Sequence, residues 1–277
     1  MSAVATRDPI DALVPQVERV YRALAHLHFA DADRDTGKLV RYDTATGFLV
    51  RLGGRAFVFT AKHNLQKNEF EEETVRSTGV AFPRELTIPV HIGEGVRRFF
   101  RAGSDVDAAV IELDPSQTVL WQSSEPFERR ELGTLTEPRS GDVLCLCGFP
   151  TAETQERPGV PGMELQYEHL ATMVLVSDLP GRRSTYEPSE GRGIHVRYEG
   201  RSFDYKLKRW QEIAHPRGMS GGPLVAIGGG CVRVLGIARS IENGAEWCEP
   251  VVECARLLVQ HEDPAFADEA RAVVIGQ

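Results

Sequence analysis

The strongest chemical signal in the chain is Gly218-Met219-Ser220-Gly221-Gly222-Pro223. A serine set among glycines has small neighbours, which let a substrate backbone approach its hydroxyl. On such a turn, consecutive backbone N–H groups can also face a developing oxyanion. A serine nucleophile needs a base, and the base needs a carboxylate to orient it. His63 stands in Phe59-Thr60-Ala61-Lys62-His63-Asn64, where a β-rich run ends, so its ring can be held rigidly at a cleft. Asp107 opens Asp107-Ala108-Ala109-Val110-Ile111-Glu112-Leu113 and puts a carboxylate at the head of an apolar strand, where it can fix an imidazole tautomer. Asp105 shares its face in an extended strand and is the rival for that role. His91, His169, His195 and His261 have no comparable context, whereas His215 lies close before Ser220.

The elements that must position these residues are mostly short strands. Gly47–Leu52 and Arg55–Thr60, joined by Gly53-Gly54, predict a hairpin. Apolar runs of strand length recur in AAVIEL, DVLCLCGF, LATMVLV, GIHVRY, PLVAI and VRVLGIA, each bounded by Gly, Pro, Asp or Ser. Few helical stretches lie between them, which favours an all-β barrel or sandwich over a parallel α/β sheet. Ile10, Leu13, Val14, Val17, Val20, Leu24 and Leu27 are spaced as one face of an amphipathic helix running to about His28, with Pro15 in its first turn. On that helix His26 and His28 would point to different faces. VVECARLLVQ predicts a carboxy-terminal helix. Gln66–Gly103, Thr151–Glu164 and Pro180–Arg192 read as long loops.

Taken in order, His63, Asp107 and Ser220 with the TAKH, DAAVIEL and GMSGGP around them resemble the chymotrypsin/trypsin-like serine peptidases, in an intracellular bacterial-type form. Gly47-Phe48-Leu49-Val50, Cys147-Gly148-Phe149-Pro150 and Leu235-Gly236-Ile237 extend the likeness, which covers about Thr46 to Val259. The resemblance implies two six-stranded antiparallel β-barrels with the active site between them, to which the helices read from periodicity add one at each end. Its domains would be an N-terminal helix and linker over 1–45, a first barrel over 46–140 carrying His63 and Asp107, and a second barrel with the C-terminal helix over 141–277 carrying Ser220. Ser220 would be the nucleophile, His63 the general base and Asp107 the orienting carboxylate, which the alignment of Ala109 and Leu113 favours over Asp105. The backbone N–H groups of Gly218 and Ser220 would form the oxyanion hole. Ala214, His215 and Arg239 would line the substrate pocket. No acid stands at Ala214, so a cationic side chain at the cleavage site is disfavoured.

Three departures qualify the likeness. Met219 stands where secreted members carry an Asp that pairs with a newly cut amino terminus, so no activating cut is expected. Lys62-His63-Asn64 replaces the common Ala-His-Cys, and the family's disulfides cannot be placed on these cysteines. A catalytically silent binding or scaffold protein on the same fold is the alternative function.

Composition narrows the classes further. The chain has 277 residues, 42% of them hydrophobic and 26% charged, enough to bury a sizeable core. A net charge of −8 argues against general binding to nucleic acid or an anionic membrane. There is no apolar run long enough to span a bilayer and no secretory signal pattern. Five cysteines without paired spacing predict reduced thiols and a cytoplasmic chain. Cys145 and Cys147 alternate as in a buried strand, and neither a metal nor a cofactor is expected. The partners expected are a polypeptide substrate and a regulatory protein contacting the N-terminal helix.

Overall fold

The structure, a computed structural model, describes residues 13–33, 35–36, 39–65, 74–81, 90–91, 96–103, 106–116, 121, 124–133, 139, 141–150, 154–157, 166–169, 172–178, 194–204, 209–212, 218–242, 245–261, 263 and 265–275. The first half runs through helix α1 (Val14–Tyr21) and strands β1 (Leu24–Asp33), β2 (Leu39–Leu52), β3 (Arg55–Thr60), β4 (Thr74–Ala81), β5 (Val90–His91), β6 (Val96–Arg101), β7 (Ala109–Leu113) and β8 (Phe127–Glu128). The second half holds β9 (Val143–Gly148), β10 (Thr154–Arg157), β11 (Gln166–His169), β12 (Thr172–Asp178), β13 (Ile194–Asp204), β14 (Arg209–Glu212), β15 (Pro223–Gly228), β16 (Cys231–Glu242) and β17 (Ala245–Pro250). Helices α2 (Val252–Gln260) and α3 (Ala267–Ile275) follow.

The fold is all-β, with two main antiparallel sheets and short helices towards both ends. In the first sheet the strands run β5-β4-β1-β2-β3-β7-β6, and β8 lies parallel to β2. In the second they run β12-β9-β15-β16-β17-β13-β14, and a further β12–β13 pairing closes six of these strands on themselves. A closed sheet has no free edge along those strands. Gly53 and Gly54 (φ +55° and +72°) supply the two left-handed residues that a tight β2–β3 hairpin requires.

Apolar side chains fill each sheet and the space between them. Phe48, Phe57, Phe59 and Phe127 from the first sheet share one core with Cys145, Cys147, Val225 and Ile237 from the second. Leu257 and Leu258 of α2 and Val273 of α3 close that core. Among the described residues, no helix is long and apolar enough to cross a membrane.

Three sequence expectations need correction. Helix α1 starts with Pro15 in its first turn, as read, but ends at Tyr21, and Leu24–Asp33 form β1, so the stretch to about His28 is strand and not the end of a helix. Because β1 lies between β2 and β4 and Leu24–Phe29 are all buried, its sequence lacks the alternation of a one-sided strand. His26 and His28 therefore share a face, with ring centroids 4.2 Å apart and the His26 ring stacked on Phe149. Gln66–Gly103 and Thr151–Glu164 contain strands β4, β5, β6 and β10. Three of those are edge strands: β5 and β6 end the first sheet, and among the described residues β10 pairs only with β11. Strands at an edge tolerate charge-rich sequences such as VRRFFR and TQER, which hides them from a search for apolar runs. The stretch Pro180–Arg192 lies outside the described residues.

Candidate active site

Strand pairing brings His63 and Asp107 together. Antiparallel β3 and β7 place Thr60 opposite Ala109, so the tail of one strand lies beside the head of the other. A one-turn 3-10 helix, Lys62–Leu65, leaves β3 and carries His63, while Asp107 lies just before β7. Its Oδ1 accepts the His63 backbone N–H at 2.9 Å, and its Oδ2 lies 2.6 Å from His63 Nδ1. Lys62 N–H donates to the Asp107 carbonyl at 3.3 Å.

Ser220 arrives from the second sheet on the turn before β15. Its Oγ lies 2.7 Å from His63 Nε2 and 3.2 Å from the Arg239 carbonyl. Since the ionised carboxylate accepts at Nδ1, that nitrogen carries the proton and Nε2 is left as acceptor for the serine hydroxyl. The three residues named from the sequence thus form one hydrogen-bonded chain. The His63 side chain is 44% exposed and that of Asp107 is 10% exposed, so the serine–imidazole end faces the outside and the carboxylate end the interior.

A polar frame that the sequence reading missed holds the serine turn. Thr46, fully buried in β2, donates its N–H to the Ser220 carbonyl at 3.0 Å and its hydroxyl to the Gly218 carbonyl at 3.0 Å. Its Oγ1 also accepts the Phe149 N–H at 3.0 Å. Asn64 donates Nδ2 to the Ser220 carbonyl at 3.1 Å and to Thr60 Oγ1 at 3.1 Å. Gly221 sits at φ +87°, and a Cβ there would come within 2.1 Å of the Thr46 carbonyl oxygen. The turn then joins β16 through Gly221 N–H to the Ala238 carbonyl and Ala238 N–H to the Gly222 carbonyl, both at 2.8 Å. Gly218, at φ +97°, and Ser220 lie on this turn. Met219 between them is buried in the apolar cluster of Leu146, Leu224 and Leu235.

Arg239, expected to line the substrate pocket, directs its guanidinium to two carboxylates. Its Nη1 donates to Glu249 Oε1 at 2.8 Å, and its Nε lies 3.7 Å from Asp107 Oδ2. Both of these carboxylates are largely buried. Glu249, 1% exposed, also accepts the Asp107 backbone N–H at 3.3 Å. The sequence did carry a trace of it, a carboxylate set between Cys248 and Pro250-Val251-Val252, where a charge requires a partner. Ala214, His215 and the rival Asp105 lie outside the described residues.

The electrostatics follow from these contacts. Burial pushes the Asp107 carboxyl upward, but its hydrogen bonds and attraction to His63, followed by the charge of Arg239, outweigh that and leave it below its ordinary value of 3.8. Burial raises Glu249, and the Asp107 N–H and Arg239 only partly offset it. Cys145 and Cys147 lie buried in β9; burial pushes the Cys145 thiol up to about 12 and raises Cys147 as well, so both are held protonated. Among the described residues, no group of three His, Cys, Asp or Glu side chains is arranged to hold a metal ion.

No protein-family model matches the chain, and no curated protein matches it. Among solved structures it is similar to the Rv3671c protease in its inactive form, at 17% identity over 94% of this chain and 98% of that one, with a TM-score of 0.45.

Proposed function

We propose that the protein is a serine endopeptidase that cleaves peptide bonds through an acyl-enzyme at Ser220. The observation that carries this reading is the unbroken chain from Ser220 Oγ through the His63 ring to Asp107, with links of 2.7 and 2.6 Å. In this mechanism His63 Nε2 takes the hydroxyl proton as Ser220 Oγ attacks the substrate carbonyl carbon, and the backbone N–H groups of Gly218 and Ser220 receive the oxyanion. Collapse of the tetrahedral intermediate breaks the C–N bond, and the imidazolium gives its proton to the leaving amine. Water, deprotonated by the same ring, then releases the acyl group. Asp107 stays ionised throughout and stabilises the imidazolium.

The apolar setting of Met219 supports an enzyme that needs no cut amino terminus, because an ammonium inserted there would have no carboxylate partner. Alanine at 214 favours cleavage after neutral or acidic residues. Five free cysteines support a reducing, cytoplasmic setting and a regulatory or effector role. Val17 and Val20 of α1 are buried in the chain's own core, so a regulatory partner would contact the helix's outer face.

A fluorophosphonate reagent tests the reading directly. The intact chain should gain one adduct at Ser220, and Ser220→Ala and His63→Ala should abolish labelling and lower peptide hydrolysis by roughly 10⁴-fold or more. Unchanged hydrolysis in either variant would reject it.

A further inference from the structure

Arg239 meets both ends of the serine–histidine–aspartate chain. Its carbonyl oxygen lies 3.2 Å from Ser220 Oγ, and its guanidinium lies beside Asp107 and Glu249. It is also the residue at which the β16–β17 register slips, since Ala238 pairs with Cys248 but Ser240 with Trp247. A bulge of this kind re-aims one side chain while leaving the strand intact on either side.

A guanidinium behind a triad carboxylate poses an electrostatic problem. Asp107 stabilises the imidazolium because it is negative, and a neighbouring cation cancels that charge. Glu249 removes the difficulty: Asp107, Arg239 and Glu249 together carry one net negative charge, as a lone aspartate would. Among the described residues, the neighbouring charged and titratable groups have contacts of their own. Lys62, on the same 3-10 turn as His63, directs its ammonium to the Gly103 carbonyl. From α2, Glu253 pairs with Arg256, and the Cys254 thiol donates to the Ala109 carbonyl at 3.5 Å.

We propose that Arg239 and Glu249 are a charge-balanced pair of positioning residues: the bulged arginine holds the Asp107 carboxylate, and Glu249 restores the negative charge that His63 must feel. This role rests on the reading of His63 as general base. It also explains why a buried glutamate is kept beside a buried aspartate: the backbone N–H of Asp107 and the guanidinium of Arg239 both end on Glu249 Oε1.

The test uses the full-length chain. The rate of fluorophosphonate reaction at Ser220 is followed against pH, and the His63 ring is titrated in parallel by NMR. Glu249→Gln keeps the acceptor but removes its charge, leaving Asp107 and Arg239 to sum to zero. The acid midpoint of both curves should then fall by about half a unit to one unit. Combining it with Arg239→Gln restores one net negative charge, and the midpoint should return to the wild-type value. A packing role alone predicts no such return, because the double variant has lost more contacts than the single. An unmoved midpoint in Glu249→Gln, or a double variant displaced further than the single, overturns the proposal. If the single variant does not fold, wild type and double variant must share a midpoint, and a gap of more than about half a unit between them is equally fatal. A wild-type chain that never labels at Ser220 would defeat the peptidase reading, while the NMR midpoints would still decide the charge balance.

Discussion

At the scale of single residues, the Ser220 turn is held by its neighbours' polar atoms rather than by its own sequence. The Ser220 carbonyl receives two donors, Thr46 N–H from the middle of β2 and Asn64 Nδ2 from the 3-10 turn after β3. Asn64→Ala removes one of them and leaves a partly buried acceptor underused. It should cost about 1–2 kcal/mol in urea unfolding and slow fluorophosphonate labelling roughly tenfold as the hydroxyl loses its alignment. Gly221→Ala is more severe, since it combines a left-handed φ of +87° with a Cβ placed 2.1 Å from a backbone oxygen. A loss of about 2–4 kcal/mol is expected, read as a shift of the denaturation midpoint with unchanged slope. At this scale the sequence was informative only where side-chain type announces chemistry. Ser220, His63 and Asp107 stand out by motif, whereas Thr46 is one threonine among many until β2 is laid against the serine turn.

Among the elements, α2 has the least obvious consequence for the site. It follows β17 directly and packs behind β7, where Cys254 Sγ reaches the Ala109 carbonyl and Leu257 and Leu258 enter the core shared by both sheets. Leu258→Ala should therefore destabilise the chain by about 2–5 kcal/mol. The labelling rate should also fall, because β7 carries the Asp107 end of the site; thermal and chemical unfolding and the labelling assay read the two effects separately. The strands enclosed by the cores were legible as apolar runs bounded by turn residues, and α2 as a periodic stripe. Strand β1 was not, because burial on both faces gives it a pattern that mimics a helix, and β4, β6 and β10 were not, because their sequences are too polar.

For the molecule as a whole, pH acts on the buried carboxylates. Asp107 binds its proton less readily folded than unfolded, so its ionised form adds stability above the ordinary value of 3.8, and that contribution is lost as the pH falls through the lower folded value. Glu249 has the opposite sign: its folded-state value is raised, so its contribution is full at low pH and is lost as the pH rises through that value. In denaturant titrations below about pH 4, wild-type stability should therefore decline more steeply than that of Asp107→Asn. The thiols give an independent check on packing. Of the five free cysteines only Cys231 is exposed, so alkylation of the native chain should modify that residue alone, and denaturant should release the other four.

The sequence by itself determined the strand-rich class, the turn that carries Ser220, and the order in which three reactive residue types occur, because these depend on local pattern and side-chain chemistry. Only the tertiary structure decided what each polar group faces. In one dimension nothing ties Arg239 to a carboxylate, but in three its guanidinium lies beside Asp107 and Glu249, ten residues away along the chain in the second case and far further in the first. Local pattern fixes which groups exist; the closing of strands onto one another fixes their partners. A charge behaves according to its partners, which here come from β16, β17 and the head of β7.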